Sequence, residues 1–397
     1  MATSVSRKLP QANINAVGPL YAQQQQHQQQ EQQRGLFNAT GASTLSVWGH
    51  RGSGSNLATH TPGVIHPVYR ENTLRSLSSA ATSGASFVEF DVQVTLDGVA
   101  VLWHDDEVIA ADSLGHPVHS KVADLTLTQF KALVPKKEGS SKSDGKDLPQ
   151  ATTPLLRQFE DTSGHQTTEL SPWVVEADDE LPTLSAIFEG LPEDVGLNVE
   201  IKMAVPDTVA VTPAEEVQRM LTPILQCVDR HVGPSSTRAV TFSSFDPDVC
   251  IALRRELAQR AQQHRFPIMF LSGCGLYPHV DVRRTSIEAT ISTALDAGLT
   301  GIVVPASVLL SNQDMVAAAR AVNLAVATYG QENNVPENVQ QQAALGVQAA
   351  IVDEVELVSK YLKASQANIS GCTGPGIANA STPAAAPPQA SVSPLGA

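Results

Sequence analysis

Along the chain, apolar and polar positions repeat one unit: a short apolar run of strand length, then a longer segment with apolar residues at helical spacing. Eight runs have strand character: Leu45 to His50, Phe87 to Val92, Gly196 to Ile201, Ala239 to Phe242, Pro267 to Leu271, Gly301 to Val304, Leu324 to Thr328 and Ala349 to Val352. The segments between them carry helix punctuation. Asn72 is placed to N-cap a helix bearing Leu74, Leu77, Ala80 and Ala81, with Gly84 as its stop, and Thr212-Pro213 opens another with Val217, Leu221, Leu225 and Val228 on one face. Strand followed by helix, repeated, predicts an α/β fold, a closed (β/α)8 TIM barrel.

A ninth run, Val99 to His104, does not fit the repeat. Only Thr95 to Gly98 separate it from the second strand, whereas a parallel crossover takes about a dozen residues or more. Asp97-Gly98 is a hairpin-turn dipeptide, so Val94 to His104 is expected to rise as a β-hairpin from the barrel mouth and carry His104 over it. A nine-stranded or open sheet is the alternative.

Three segments break the pattern. Residues 1–43 are rich in glutamine and 366–397 in Ala, Pro and Ser; neither has the apolar content to offset the entropy of ordering, so both read as disordered tails. A polar stretch at about 136–180, most marked from Lys136 to Asp144, reads as an insertion on one face, docked through Trp173, Val174 and Val175. The domain is thereby expected at 44–365.

Composition narrows the partners. With 42% hydrophobic residues the 397-residue chain has ample core material, and a net charge of -14 argues against a nonspecific hold on nucleic acid or an anionic membrane. No apolar run approaches a membrane span and no secretory signal opens the chain, so stable membrane insertion is not expected and a cytoplasmic location is. Arg7 and Lys8 without an acid in residues 1–30 give a weak mitochondrial-type bias. Cys227, Cys250, Cys274 and Cys372 lack CxxC spacing, which fits a reducing compartment and not a zinc site.

The candidate chemistry gathers at the ends of the first strands. Glu89 and Asp91 are two apart, hence on one face of their strand, while Val88, Phe90 and Val92 take the other. Glu200 ends the next barrel strand with Lys202 as its same-face partner. Three carboxylates at the C-terminal rim of a barrel form an oxygen-rich site suited to Mg2+ or Ca2+. The alternative, a solvent-facing edge, sits poorly in a strand flanked this apolarly. His50 and Arg51 fall where the first strand ends, and His104 arrives on the hairpin. The arginine fork matches a phosphate, and two histidines beside a carboxylate cluster suit phosphodiester cleavage, which removes a proton from the nucleophile and supplies one to the leaving group. His60, His66, His116 and His119 lie in loop sequence and are read as surface histidines.

The succession His-Arg-Gly (50–52), Glu-Asn-Thr (71–73), Val-Glu-x-Asp-Val-Gln-x-Thr-x-Asp-Gly (88–98), His-Asp (104–105), Pro-Thr-Leu (182–184), Glu-Ile-Lys (200–202) and Ser-Ser-Phe-Asp-Pro (243–247) resembles the glycerophosphodiester phosphodiesterase family. Gly-His-Arg-Gly-x-Gly-x-Asn at 49–56 is similar to its intracellular eukaryotic branch acting on glycerophosphocholine. The resemblance spans about residues 45–355. It implies a TIM barrel with a hairpin after strand two, metal ligation by Glu89, Asp91 and Glu200, acid and base roles for His50 and His104, and phosphate contacts from Arg51 and Lys202. It also implies a small-molecule glycerophosphodiester substrate cleaved to sn-glycerol 3-phosphate and an alcohol. Glu71 is expected to orient Arg51 or support the metal, and Tyr329 to shape the leaving-group pocket. The sequence departs from the family's usual pattern at Arg70, at Thr328-Tyr329-Gly330 and at Val352-Asp353. A relative cleaving lysophospholipids would need an apolar channel or a membrane-facing loop, which the polar insertion does not supply. A non-catalytic regulator would be expected to lose ligands, and this chain keeps the acids, both histidines and the lysine.

Overall fold

The computed structural model describes residues 45–57, 67–134, 154–160, 166–204 and 208–371. Its strands are β1 (Ser46–Gly49), β2 (Phe87–Val94), β3 (Ala100–Leu102), β4 (Val108–Ala111), β5 (Pro117–Ser120), β6 (Leu155–Glu160), β7 (Gln166–Pro172), β8 (Gly196–Ile201), β9 (Val240–Ser244), β10 (Ile268–Leu271), β11 (Gly301–Pro305), β12 (Ala325–Tyr329) and β13 (Ala349–Val352). Each of the eight apolar runs forms a barrel strand. They pair in parallel in the order β1-β13-β12-β11-β10-β9-β8-β2, and β1 closes the ring on β2 through Trp48↔Phe87 and Gly49↔Val88.

Alternation along the strands makes two cores. Val88, Phe90 and Val92 point outward into the layer under the helices, meeting Leu77 and, from the helix Ala214–His231, Val217, Leu221, Leu225 and Val228. Inside the ring, Trp48 stacks on Phe87 at 4.9 Å and packs with Met269, Leu271, Val303 and the small Ala325, Ala327 and Ala349. Three alanines opposite a tryptophan let one large side chain fill the taper, as a packed barrel interior requires.

The ninth run behaves as the linker length demands. β3 pairs antiparallel with β2 (Val92↔Leu102, Val94↔Ala100), Gly98 turns at φ +77°, and the Trp103 N–H extends the ladder to the Asp91 carbonyl at 3.1 Å. Beyond it lies a feature without a sequence-based expectation: a four-stranded sheet in the order β5-β4-β6-β7. Its own core includes Val101, Trp103, Phe130, Leu155, Phe159 and Trp173. The polar stretch at 136–180 therefore contributes two strands, and Trp173 does dock it; Lys136 to Asp144 lie outside the described residues. His119, read as loop, sits on β5, where it is exposed and pairs with Glu107 at 2.7 Å.

Two helix boundaries differ from expectation. The first helix, Leu74–Thr82, is capped by Thr73, whose hydroxyl accepts from the Ser76 N–H, and not by Asn72. The last helix runs from Val355 to Gly371, past the boundary placed at 365. The proposed tails at 1–43 and beyond Gly371 lie outside the described residues. Among the described residues no helix is long and apolar enough to cross a membrane.

Candidate active site

The inward positions of β2 and β8 set the acids side by side. Strand register places Asp91 opposite Glu200 and Glu89 opposite Asn198, so the Glu89, Asp91 and Glu200 carboxylates gather with ligand atoms within 4.8 Å of one another. All three are buried. Burial and mutual repulsion hold the Glu89 carboxyl well above the usual carboxylate range and push Glu200 up to about 7. Burial acts on Asp91 in the same direction, but the Arg51 and Lys202 charges and the Asn72 hydrogen bond help to outweigh it and keep that group ionised. The Asn198 amide, also fully buried, has no hydrogen-bond partner at either end among the described residues. Three crowded carboxylates, two of raised pKa, could hold a cation, and their all-oxygen character fits a hard divalent ion.

The first loop after β1 is wrapped around this set. Arg51 takes a left-handed backbone (φ 47°), which turns its N–H to Glu89 Oε2 at 2.8 Å. Gly52 follows at φ +92°, where a Cβ would fall 2.4 Å from the Ser76 hydroxyl, so the Arg-Gly pair is needed to seat the loop on the first helix. The Arg51 guanidinium is buried. It donates from Nη1 to Glu71 Oε1 at 3.0 Å and sets Nε 3.5 Å from Asp91, and these carboxylates keep it firmly charged against its burial. Asn72, likewise left-handed at φ 57°, turns its side chain into the site: its Nδ2 donates to Asp91 Oδ2 at 2.9 Å and its Oδ1 accepts from the Asp91 N–H. The residue read as a helix cap is a clamp on an acid.

Each histidine is backed by an aspartate. His50 Nδ1 lies 2.7 Å from Asp353 Oδ1, and Asp353 is itself held by the Asn334 amide (2.8 Å) and the Ser55 N–H. The His50 charge lowers the Asp353 carboxyl to about 2 against its burial. His104 Nδ1 lies 2.8 Å from Asp105 Oδ1, with Nε2 3.1 Å from Lys202 Nζ. An ammonium only donates, so Nε2 accepts and the ring proton sits on Nδ1, facing Asp105. Burial, Arg51 and Lys202 together depress His104 well below an ordinary histidine.

His50, Arg51, Glu89, His104, Glu200 and Lys202 line one cleft of about 470 Å³. The opposite wall is formed by Phe245, Leu271 and Tyr329, with Phe245 and Tyr329 edge to face at 5.7 Å. Glu71 lies behind the cleft, where Arg51 and Arg157 hold its carboxyl well below the usual range despite burial. The structure thus brings together the residues singled out from sequence, Glu71 as a support one step removed. Asp353, Asp105 and Arg157 carry no site role in the sequence reading and Asn72 only that of a helix cap; Asp105 and Asp353 stand within dipeptides quoted there, whereas nothing in the sequence points to Arg157.

The barrel, with acids, histidines and cations gathered at one end, places the chain among the (β/α)8-barrel enzymes. Residues 50–357 match the glycerophosphoryl diester phosphodiesterase family. The chain is 35% identical over 312 residues to glycerophosphodiester phosphodiesterase GDPD2 of Arabidopsis thaliana, covering 79% of this chain and 76% of that protein. It is 30% identical to the human glycerophosphocholine phosphodiesterase GPCPD1, covering 77% of this chain but 43% of the human protein. A putative glycerophosphoryl diester phosphodiesterase from Silicibacter pomeroyi shares the fold at TM-score 0.55 and 20% identity, over 84% of this chain and 97% of that one. The chain belongs to the glycerophosphoryl diester phosphodiesterase family, and is a hydrolase.

Proposed function

We propose that this enzyme hydrolyses small glycerophosphodiesters of the glycerophosphocholine type to sn-glycerol 3-phosphate and a free alcohol, with a divalent cation held by Glu89, Asp91 and Glu200. The observation that carries this reading is the cleft itself, where three crowded buried carboxylates share one wall with two aspartate-backed histidines. When bound, Mg2+ or Ca2+ would neutralise phosphate charge and lower the pKa of the attacking hydroxyl.

The residues divide the remaining work. His104, neutral with an unprotonated Nε2, takes the proton from the nucleophile, either a water, which gives both products directly, or the substrate's own glycerol hydroxyl, which gives a cyclic phosphodiester that a water then opens to the monoester. His50, its Nδ1 facing an ionised Asp353, carries a proton to the alcohol oxygen as the P–O bond breaks. Arg51 and Lys202 supply fixed positive charge to the phosphoryl oxygens, where negative charge grows in the transition state. Asn72 and Glu71 keep Asp91 and Arg51 from rotating away. Tyr329 and Phe245 present ring faces and edges to the leaving alcohol, a surface that suits a choline cation.

The test is a panel of glycerophosphocholine, glycerophosphoethanolamine and glycerophosphoinositol, assayed with and without chelator. Turnover that needs Mg2+ or Ca2+ is expected; full activity in excess chelator would end the metal assignment, and no turnover of any member with metal present would end the substrate assignment. A second reading, cleavage of lysophospholipids, gains from a feature not anticipated in the sequence. Val211, Tyr277, Val280 and Val282 are exposed on the two loops that also line the cleft. Turnover of lysophosphatidylcholine above that of glycerophosphocholine would favour it.

A further inference from the structure

The four-stranded sheet reaches the site through one side chain. Arg157, at an inward position of β6, is 2% exposed, and its Nη2 donates to two carboxylates at once: Glu71 Oε1 at 2.9 Å and Asp105 Oδ1 at 2.6 Å. Glu71 is the acceptor for Arg51, and Asp105 is the partner of His104. A single nitrogen therefore joins two groups that come from different loops of the barrel. Its guanidinium carbon lies over the Trp173 ring, 4.3 Å from the centroid, and Trp173 in turn donates to Asn56 Oδ1 at 3.2 Å. The Asn56 N–H holds the other oxygen of Glu71. The sheet, the first loop and the hairpin are tied at this point.

A buried arginine is a poor way merely to dock a sheet. Among the described residues Nε and Nη1 of Arg157 have no hydrogen-bond partner, and unsatisfied buried polar groups destabilise, whereas Trp103, Phe130 and Phe159 already supply an apolar core to the same interface. Its charge does something an apolar residue cannot. Asp105 is a quarter exposed, so without a fixed cation behind it the carboxylate is free to turn to solvent and release the His104 Nδ1 proton. Glu71, without Arg157, would face Arg51 alone and draw the guanidinium back from the cleft.

We infer that Arg157 is a positioning residue for the hydrolysis, fixing Asp105 and Glu71 so that His104 presents its unprotonated Nε2 and Arg51 its charge to the phosphate. The β4–β7 sheet is then part of the catalytic apparatus. The inference rests on His104 as a proton carrier, the reading proposed above.

The experiment uses the full chain with Mg2+ or Ca2+ and glycerophosphocholine as substrate. Arg157→Ala is expected to lower kcat by about 10- to 100-fold, as loss of such supporting partners does, with KM within about three-fold of wild type. Added guanidinium should restore several-fold of that loss, and should not help His104→Ala. Asp105→Asn, which leaves Arg157 packed on Trp173, should lose a similar factor, and the double variant Arg157→Ala with Asp105→Asn should lose little more than either alone. A kcat within about two-fold of wild type in either single variant overturns the inference, as does a loss in Arg157→Ala that guanidinium leaves unchanged and that multiplies with Asp105→Asn. If Arg157→Ala does not fold, the Asp105→Asn kcat decides. Full turnover in His104→Ala would instead remove the reading beneath it, whatever the Arg157 variants do.

Discussion

The two halves of the barrel interior are built by the same alternation and buried to the same degree, yet they differ in nearly every side chain. The half formed by β10 to β13 and β1 holds Trp48, Met269, Val303, Ala325, Ala327 and Ala349, a packed apolar filling. The half formed by β2, β8 and β9 holds Glu89, Asp91, Asn198, Glu200, Thr241 and Ser243, all buried. Apolar packing is what stability asks of such positions; acids that push one another's pKa upward are not. The contrast locates function without reference to any ligand: one half holds the ring together, and the other spends stability on chemistry.

The sharpest way to break the contrast is to neutralise one acid. Glu200→Gln is expected to remain folded while turnover falls to the level of chelated wild type. Its melting midpoint in chelator should equal or exceed that of wild type, because a repelling charge is gone, and Mg2+ or Ca2+ should raise the wild-type midpoint but not the variant's. A variant that melts well below wild type would place Glu200 on the stabilising side.

Next in size are the histidines. His50→Ala and His104→Ala should each lower kcat by about 10²- to 10⁴-fold at an unchanged melting midpoint, and the double variant should lose far less than the product. With His104 as base, the acid limb of kcat/KM follows its depressed pKa, so activity should persist to lower pH than an ordinary histidine allows, and that limb should be the one altered in His104→Ala. An alkaline limb altered instead would exchange the two roles.

The pH dependence of metal binding follows from Glu200. With its metal-free pKa raised from 4.5 to about 7, a proton competes with the ion below that value, and the raised Glu89 carboxyl adds a second competing proton, so apparent affinity should fall steeply as pH drops below 7. The linked stability has a definite sign. The folded, metal-free protein binds this proton more tightly than the unfolded chain, so the contribution is full below 4.5 and is lost as pH rises to about 7. Calorimetry of the metal-free protein across that window should show a falling midpoint that added metal reverses; a rising midpoint would contradict the shift.

The smallest effect on turnover belongs to the apolar half. Met269→Ala removes a fully buried side chain and should cost about 2–5 kcal/mol in urea unfolding, with kcat of the folded enzyme within about three-fold of wild type. A loss of kcat comparable to that of the histidine variants would show that the two halves are not separable.

The barrel was legible because its signal is redundant: eight apolar runs, rich in Val, Ile and Phe, each followed by a helical face, leave little choice of architecture. The hairpin was legible from chain length alone, since Thr95 to Gly98 cannot cross a barrel. Glu89 and Asp91 could be read from their spacing because burial of both follows from the apolar residues around them. What stayed hidden depends on contacts distant in sequence. Asn72 looks like a cap because Asn-Thr before an apolar face is a helix start; only the fold brings Asp91 to its amide. β6 reads Leu155, Arg157, Phe159 at its inward positions, and the arginine interrupts the apolar alternation by which a strand is recognised. The side chain that joins the sheet to the site is thus the one that hid the strand.

The pairing of His50 with Asp353 links the first barrel strand to the residue after the last, 303 positions apart, and has a consequence for synthesis. A nascent chain emerges from its N-terminus, so the histidine, the acids and the lysine all leave the ribosome while β13 and Asp353 are still unmade. During that interval β1 has no β13 to pair with and His50 no carboxylate. The groups of the cleft are present in an open ring, and a chain arrested or clipped before residue 353 leaves His50 without the aspartate that backs it.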